Sequence, residues 1–599
     1  MNVRARNFAA LRKRWPEMAR RVESARATKK RKTLAAGDAL RVSRRWLHGR
    51  RIRDRALLAV TGFGDGVHVR ELLRVLPARA RVFVAEANPA DLRSAFDAVD
   101  HTELLADARL ILGCGECDEA FFGAFESLPV LQVDDIVPMV FSPRYNEAPD
   151  YYARFLTEFA RQFDVRRKLE GTRVADAALW QGNTFANLPR LVTAPDVAVL
   201  RGAFTGLPLV IVSAGPSLDE SLEFLRAASR VAVVVAVNSS YRAVRHAGIV
   251  PPLVLAADPR EFTARGFAGA PVDGTFLVTT PIVHPEVVRA FEGRTFTWSG
   301  SNKLVQILRQ RCGLAPGTAL VEQGTVSACA VDLAIVLGCD RVCLVGQDLA
   351  VQPDGRSHAQ DSFYSDLGMN RTDVADCRRL PGNTLPEVLV EGKLYVYLKI
   401  FEQLVAHRPG LKWLNTSRLG ARIAGVPYAD FDDALRWLGQ GSAAKVPGVL
   451  ASRHAAGGRF CLSADALRAA LGGTRPFAAR ALEAALRAAA CVENLADSVL
   501  AHGGETDGAL QSGLQAIGEV EDLIAKFADE SAILEEGRTR IELFRARGLE
   551  SQLTGMEPHA RRLLQGREYA WAIAEGAWFL ANCLDRLDRE LEGKLAGVS

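Results

Sequence analysis

Residues 209–225 read LVIVSAGPSLDESLEFL, and the fold turns on how this stretch is read. A continuous apolar run (Leu209, Val210, Ile211, Val212) stops at a tight turn of Ser213, Ala214, Gly215, Pro216 and Ser217, after which helical periodicity resumes. An apolar run without alternation suits a strand buried on both faces, as in a parallel sheet covered by helices. The pattern returns in LPLVIVS, VAVVVAVN, PPLVLAAD, GTFLVTT and RVCLVGQD, with helical stretches between them. Residues 186–430 are therefore expected to form a parallel-sheet α/β domain.

In such a sheet ligands bind beyond the carboxyl ends of the strands, near the point where strand order reverses. The predicted strand ends are polar: the turn at Gly215, Pro216 and Ser217, then Asn238, then Asp258, then Gln347 and Asp348. If the strands are parallel, all of these reach one rim, and the expected ligand is an anion or a nucleotide. Gly215 lets backbone pass close to a ligand, Ser217 is placed to cap the next helix, and the N–H groups of its first turn suit a phosphate. The blander reading is that Ser217 caps the helix and nothing binds. Asp258, followed by Pro259, either holds Mg²⁺ between donor phosphates or anchors a loop; Mg²⁺ usually takes one or two carboxylates with phosphates and water.

Around this domain the texture differs. Residues 56–73, ALLAVTGFGDGVHVRELL, predict a strand, a glycine turn and a helix, and RVFVAEANPADL a second strand ending on Glu86. Gly62, Gly64 and Gly66 with that acid have the spacing of a dinucleotide or S-adenosylmethionine fold, although the third glycine falls too early for the strict motif. A Rossmann-like domain is expected over 56–185, with a helical linker ending in the polar-aromatic WQGNTFANLPRL. Residues 1–55 hold 19 Lys or Arg against 4 Asp or Glu, a surplus of +15 in a chain of net charge +5. Apolar spacing at Phe8, Leu11, Trp15 and Met18 reads as leading helices with a solvated basic face, without the stacking aromatics of a nucleic-acid arm. Residues 431–599 repeat Ala and Leu at helical periods and predict a helical bundle.

A length of 599 residues requires several cores. No apolar run reaches the roughly 18–20 residues that span a bilayer, and no secretory signal is visible at the N-terminus. The ten cysteines are sparse, and Cys329, Cys339 and Cys343 lie in apolar runs, so reduced thiols and a cytoplasmic protein without membrane insertion are expected. Cys114 and Cys117 form a C-x-x-C with no second pair at zinc spacing.

AGPSLD, VAVNSSYRAV, VLAADP, EQGTVSACAVDLAIVLGCDRVCLVGQDLAV and RSHAQD, in this order, resemble the motility-associated factor (Maf) family of flagellin glycosyltransferases. The likeness covers residues 180–425 and, more loosely, the N-terminal domain. It implies transfer of a nonulosonic acid, of pseudaminic or legionaminic type, from a CMP-activated donor to Ser or Thr of flagellin, with no required cofactor. The central domain is also similar to bacterial sialyltransferases and to archaeal hydroxymethylpterin pyrophosphokinase-like proteins.

The resemblance implies that Gly215, Pro216 and Ser217 sit against the donor phosphate or ribose, and that Asn238 holds the nucleotide. Gly324, Thr325 and Ser327 would line the cytidine side, with Gln347 and Asp348 close to the transferred sugar. His358 falls where the sialyltransferases place a tyrosine that assists departure of the phosphate. Two departures stand out: Ala214 replaces an Asn of their turn, and VEGKLYVYL lacks a histidine where their catalytic one is expected. His358 is thus the candidate base, with Asp348 in reserve.

Three other readings remain open from sequence. One is a Mg²⁺-dependent pyrophosphokinase using Asp258, and one a methyltransferase using GFGDG and Glu86. The third is a non-catalytic flagellin-handling factor in which the helical bundle makes the contact.

Overall fold

The computed structural model describes residues 2–26, 36–115, 119–320, 324–457, 463–502, 507–534 and 558–596. Two compact units divide the chain, Met1–Arg173 and Val174–Ser599.

In the first unit, strands β1 (Ala56–Thr61), β2 (Arg81–Glu86), β3 (Leu110–Cys114) and β4 (Asp135–Met139) form a parallel sheet in the order β3-β2-β1-β4. Helices Val3–Arg14 and Pro16–Ser24 bury Phe8, Leu11, Met18 and Val22 in the same core as Leu58, Val60, Val82 and Val84. Arg4, Arg6, Arg12 and Arg20 stay exposed, so this part of the basic segment is an outer layer of the unit with its charge in water. Cys114 ends β3, while Cys117 lies outside the described residues.

The glycine turn after β1 has the expected left-handed backbone, with φ of +79°, +62° and +77° at Gly62, Gly64 and Gly66. Its N–H groups, however, face this chain's own acid. Glu86 Oε2 accepts from Phe63 N at 2.9 Å and Gly64 N at 3.1 Å, and Oε1 accepts from Arg144 Nη2 at 2.7 Å. Arg144 also meets Asp91 at 3.1 Å, and a Cβ on Gly62 would stand 2.6 Å from Arg144 Cβ. The groups that a cofactor would need are committed to an internal, buried ion-pair network, which weighs against the methyltransferase reading.

The second unit is built on β5 (Leu209–Val212), β6 (Val233–Val237), β7 (Leu253–Ala256), β8 (Phe276–Thr279), β9 (Thr295–Thr297), β10 (Arg341–Val345), β11 (Arg378–Leu380), β12 (Val388–Val390) and β13 (Lys412–Asn415). Seven of these form one parallel sheet in the order β13-β10-β5-β6-β7-β8-β9; β11 and β12 are a separate antiparallel pair. Sequence marked five strands of the sheet and passed over β9 and β13, which are only three and four residues long. Leu209, Ile211, Val233 and Val235 face one core with helix Val326–Leu337, while Val210, Val212 and Val234 face another with Leu225 and Val244. Both faces are thus covered, which explains the unbroken apolar runs.

The stretch WQGNTFANLPRL, expected to end a helical linker, is the end of the 43-residue helix Pro149–Leu191. Its asparagines grip strand-end loops. Asn183 Nδ2 donates to Pro259 O (2.8 Å) and Ile282 O (3.0 Å), and Asn187 Nδ2 to Pro281 O (2.9 Å) and Val283 O (2.8 Å). Four residues apart, they share one helix face. Beyond the sheet, Thr474–His502, Asp507–Lys526 and Pro558–Ala596 form the expected helical region, where small residues such as Ala481, Ala485, Ala574 and Ala577 let helices approach closely. No helix among the described residues is long and apolar enough to cross a membrane.

The Glu86–Arg144 pair makes a prediction about the first unit. Arg144→Leu strands a buried carboxylate and is expected to cost about 3–5 kcal/mol in denaturant unfolding. Adding Glu86→Gln to that variant should restore most of the loss, because a neutral acceptor still serves the turn. A double variant as unstable as the single one would show that Arg144 acts by packing alone.

Candidate functional site at the strand-order reversal

From β5 the chain winds outward to β9, then returns to β10 on the other side of β5. The connections leaving β5 and β10 diverge, and a crevice opens at their carboxyl ends. Its floor is tightly made. Gly215 N donates to Gly346 O at 2.8 Å, and Ser213 Oγ to Gln347 Oε1 at 2.6 Å. Asp348 Oδ2 accepts from Ser217 N at 3.2 Å and Ser217 Oγ at 2.8 Å, with Ser417 Oγ 3.1 Å from the same hydroxyl. A Cβ on Gly215 would lie 2.1 Å from Asp348 Oδ2, so the glycine is required by space; its φ of −66° is open to any residue.

The expectation that Ser217 caps a helix and aims its first turn at a phosphate needs correction. Pro216–Leu218 is a single 3₁₀ turn, and the helix Leu222–Ala228 starts later. Ser217 is 4% exposed and is spent on Asp348. It joins two strand ends where a helix cap was anticipated.

Asp348 is 1% exposed and its Oδ1 has no hydrogen-bond partner among the described residues. Burial pushes its carboxyl up to about 6, against the Ser217 hydrogen bonds and with help from Glu220. The next residue, Leu349, has φ +50°, the only positive value at a non-glycine among the described residues. A bulky side chain there is strained. Ala421 N holds the preceding carbonyl, Asp348 O, at 2.8 Å.

Above this floor the other predicted residues gather. Asn238 opens helix Asn238–His246, is 6% exposed, and its amide has no hydrogen bond to any described residue. Next to it, a Cβ on Gly266 would meet both Asn238 O (2.8 Å) and the Phe363 ring (3.2 Å). His358 stacks on Tyr364 with centroids 4.1 Å apart, and Ala359 N donates to Ala214 O at 2.8 Å, tying this loop to the β5 turn. Asp258 Oδ1 accepts from Arg260 N at 3.0 Å, the loop-anchoring geometry. Its charge still reaches Tyr364 and Tyr397, the latter pushed up to about 12 by burial first and then by Asp258. Gly324, at φ +71°, sits beside Tyr397, and Thr325 Oγ1 and Ser327 Oγ are 3.1 Å apart at the start of helix Val326–Leu337. Hydrogen bonds and packing join the Gly215 turn to His358, Tyr364, Phe363 and Asn238, whereas Tyr397 and Gly324 are linked to that group through the charge of Asp258.

The electrostatics set His358's state. Burial, and then the Lys393 ammonium, lower its pKa to about 4, so the ring is neutral near pH 7. Ser357 Oγ lies 3.0 Å from His358 Nδ1 and donates to Asn370 O at 3.1 Å. In the tautomer where that hydroxyl gives its proton to Asn370 O, it accepts from Nδ1–H and Nε2 is the proton acceptor. Such a ring can take a proton from an attacking hydroxyl.

Sequence reasoning missed Ser417, Tyr364, Lys393 and Tyr397. Nothing local marks them, since each reaches the crevice from an insertion or from the far side of the sheet. No three His, Cys, Asp or Glu among the described residues gather as metal ligands. Cavities of about 300 Å³ beside Arg14 and of about 490 Å³ beside Arg311 lie elsewhere. Their arginines are already engaged, Arg14 by Leu105 O and Leu110 O, Arg311 by Ala470 O and Glu530.

Two outcomes follow for the floor. Gly215→Ala should destabilise the second unit by about 1–3 kcal/mol, read by thermal unfolding, because Asp348 must be displaced. Asp348 binds its proton more tightly folded than unfolded, so its contribution is full below pH 3.8 and is lost as pH rises through about 6. The loss is on the order of 3 kcal/mol, and Asp348→Asn should flatten that pH dependence.

With the geometry in place, the comparisons can be read. Residues 182–354 match the family model "6-hydroxymethylpterin diphosphokinase MptE-like". No curated protein matches the chain. Among solved structures, the Maf glycosyltransferase from Magnetospirillum magneticum AMB-1 aligns over 100% of this chain and 99% of its own, with a TM-score of 0.60 and 15% identity. At that identity the likeness is one of fold, and it extends from end to end. The protein thus has the fold of that Maf glycosyltransferase, with the MptE-like match falling on its central sheet.

Proposed function

We propose that the chain is a glycosyltransferase that moves a nonulosonic acid, of pseudaminic or legionaminic type, from its CMP-activated donor to Ser or Thr of flagellin in the cytoplasm. The observation that carries this reading is a histidine kept neutral by burial and by Lys393 and stacked on Tyr364, at the strand-order reversal of a fold that aligns over the whole chain with a Maf glycosyltransferase.

The acceptor hydroxyl attacks the anomeric carbon of the sugar while the bond from that carbon to the phosphate oxygen breaks. CMP leaves with the bonding pair, and the hydroxyl proton passes to His358 Nε2. The carbon passes through an oxocarbenium-like state as negative charge grows on the phosphate, so a donor or cation beside the phosphate lowers the barrier. Asn238 is placed to hold the nucleotide, with Gly324, Thr325 and Ser327 along its cytidine side. Gln347 and the turn at Gly215 and Pro216 shape the floor.

A second reading, pyrophosphoryl transfer from ATP with Mg²⁺ at Asp258, is favoured by the MptE-like match over residues 182–354. Against it, one oxygen of that carboxylate already anchors Arg260 N.

Thermal shift separates the two. A ligand of the native state raises the melting temperature by mass action, so CMP should shift it, whereas ATP with Mg²⁺ and S-adenosylmethionine should not. A shift only with ATP and Mg²⁺ would favour the second reading. His358→Gln should cut glycosylation, followed by flagellin mass, by roughly 100-fold or more. His358's ring resonances in NMR should keep their neutral shifts at about pH 5.5, where an unperturbed imidazole is largely charged.

A further inference from the structure

Asp219 closes the AGPSLD motif, directly after the 3₁₀ turn Pro216–Leu218, and turns its carboxylate to the loop that carries His358. Oδ2 accepts from Arg356 Nη1 at 2.5 Å. Gln360 N donates to both oxygens, at 3.1 Å to Oδ1 and 3.3 Å to Oδ2. Arg356 and Gln360 flank His358 symmetrically, one two residues before it and the other two residues after. Between them, Ala359 N donates at 2.8 Å to Ala214 O, near the other end of the same turn.

His358 belongs to neither a helix nor a strand, so no regular element fixes its ring. The loop leans on Asn370 O from one side, through Ser357 N at 2.8 Å and Ser357 Oγ at 3.1 Å, and on the turn after β5 from the other. A carboxylate that takes a guanidinium and a backbone N–H across one residue sets where that residue's backbone stands, and charge-assisted bonds are the stronger kind. Stacking on Tyr364 then sets the direction of the ring. The Asp219–Arg356 pair is 32% and 25% exposed in its side chains, and a pair so open to water adds little stability; what it supplies is geometry. Ser217 of the same turn holds Asp348, so one short stretch of backbone places the buried acid and the histidine in a common frame.

We propose that Asp219 is the positioning residue of the His358 loop: by holding Arg356 and Gln360 it keeps the imidazole against Tyr364, where a ring nitrogen can take the acceptor hydroxyl's proton. The catalytic consequence rests on the glycosyltransferase reading; the hold on the ring does not. Asp219 acts through His358 alone. The other charges that bear on the ring come from different elements. Lys393, in helix Gly392–Ala406, lowers its pKa after burial does, and the Tyr364 phenol against it is pushed up by burial, lowered by Lys393 and raised by Asp258. Substitution at Asp219 leaves these groups in place, so a change in the ring's titration reports its position.

Two readouts on the full chain separate the ring from the reaction. In the first, NMR follows isotope-labelled histidine, with the His358 signal assigned by its loss in His358→Gln. Wild-type His358 should titrate near pH 4, and Asp219→Ala should move the midpoint up toward the ordinary 6.5 as the ring leaves its buried stack. Asp219→Asn keeps an acceptor for Gln360 N and should fall between. In the second, transfer from a CMP-linked nonulosonic acid to flagellin is timed. Asp219→Ala should lower kcat about 10- to 100-fold with KM for the donor within about twofold, as a misplaced catalytic group does. Added to His358→Gln, it should cost less than about twofold more, because both changes remove one function. A His358 midpoint that stays near 4 in folded Asp219→Ala, or a full further loss on top of His358→Gln, would overturn the proposal. Should Asp219→Ala not fold, Asp219→Asn and Arg356→Met, which removes one arm of the clamp, decide by the same outcomes. A wild-type chain that transfers no sugar, while the Asp219 variants still shift the His358 midpoint, would overturn the glycosyltransferase reading and leave Asp219 as the holder of the ring.

Discussion

The approach of Gly215 to Asp348 is the constraint on which the site depends. Two neighbouring parallel strands end there, and their connections run apart after backbone bonds from Ser213 N to Val345 O and from Gly215 N to Gly346 O. Hydrogen bonds from Ser217 to one carboxylate oxygen add to that join, and they require a residue without a side chain at 215. Ser417, arriving from the end of β13, completes the join. Three strand ends are thereby fixed around one acid, and the walls above them inherit the rigidity.

Burial acts in opposite directions on the two titratable groups named as candidate bases. At Asp348 it favours the protonated carboxyl, and at His358 the neutral ring. Both effects reflect the cost of charge in a poorly hydrated crevice, but their consequences differ. The aspartate faces inward and is held by the turn. The histidine is the weaker base of the two, but it is only half-buried, which makes it the one within reach of an acceptor hydroxyl.

The first unit shows how far a fold can be separated from the ligand it commonly holds. Its strand order and glycine turn are those of a nucleotide-binding sheet, yet Glu86 and Arg144 satisfy the turn from within. A carboxylate that is 0% exposed and paired with an arginine is a stable occupant of that crevice, and displacing it would expose both charges. The second unit has the reverse arrangement. Its crevice keeps an amide without a partner and a lysine without a counter-ion among the described residues.

Sequence alone was enough for five of the seven strands of the large sheet with their polar ends, the glycine turn of the first unit and the helical texture after residue 431. These are local signals: periodicity reports which faces are buried, and a glycine or serine after an apolar run reports where a strand stops. It could not show that Ser217 holds a strand end where a cap was expected, that the asparagines of WQGNTFANLPRL grip strand-end loops, or that Glu86 faces its own turn. Each of these depends on a partner 58 to 131 residues away, Arg144 for Glu86, Pro259 and Pro281 for the asparagines, and Asp348 for Ser217. Lys393 and Tyr397 were equally invisible, because a helix inserted between β10 and β13 reaches the crevice only once the sheet has brought distant segments together. A hydrogen bond or a field in a crevice is a property of distance in space, and only the folded chain sets that distance.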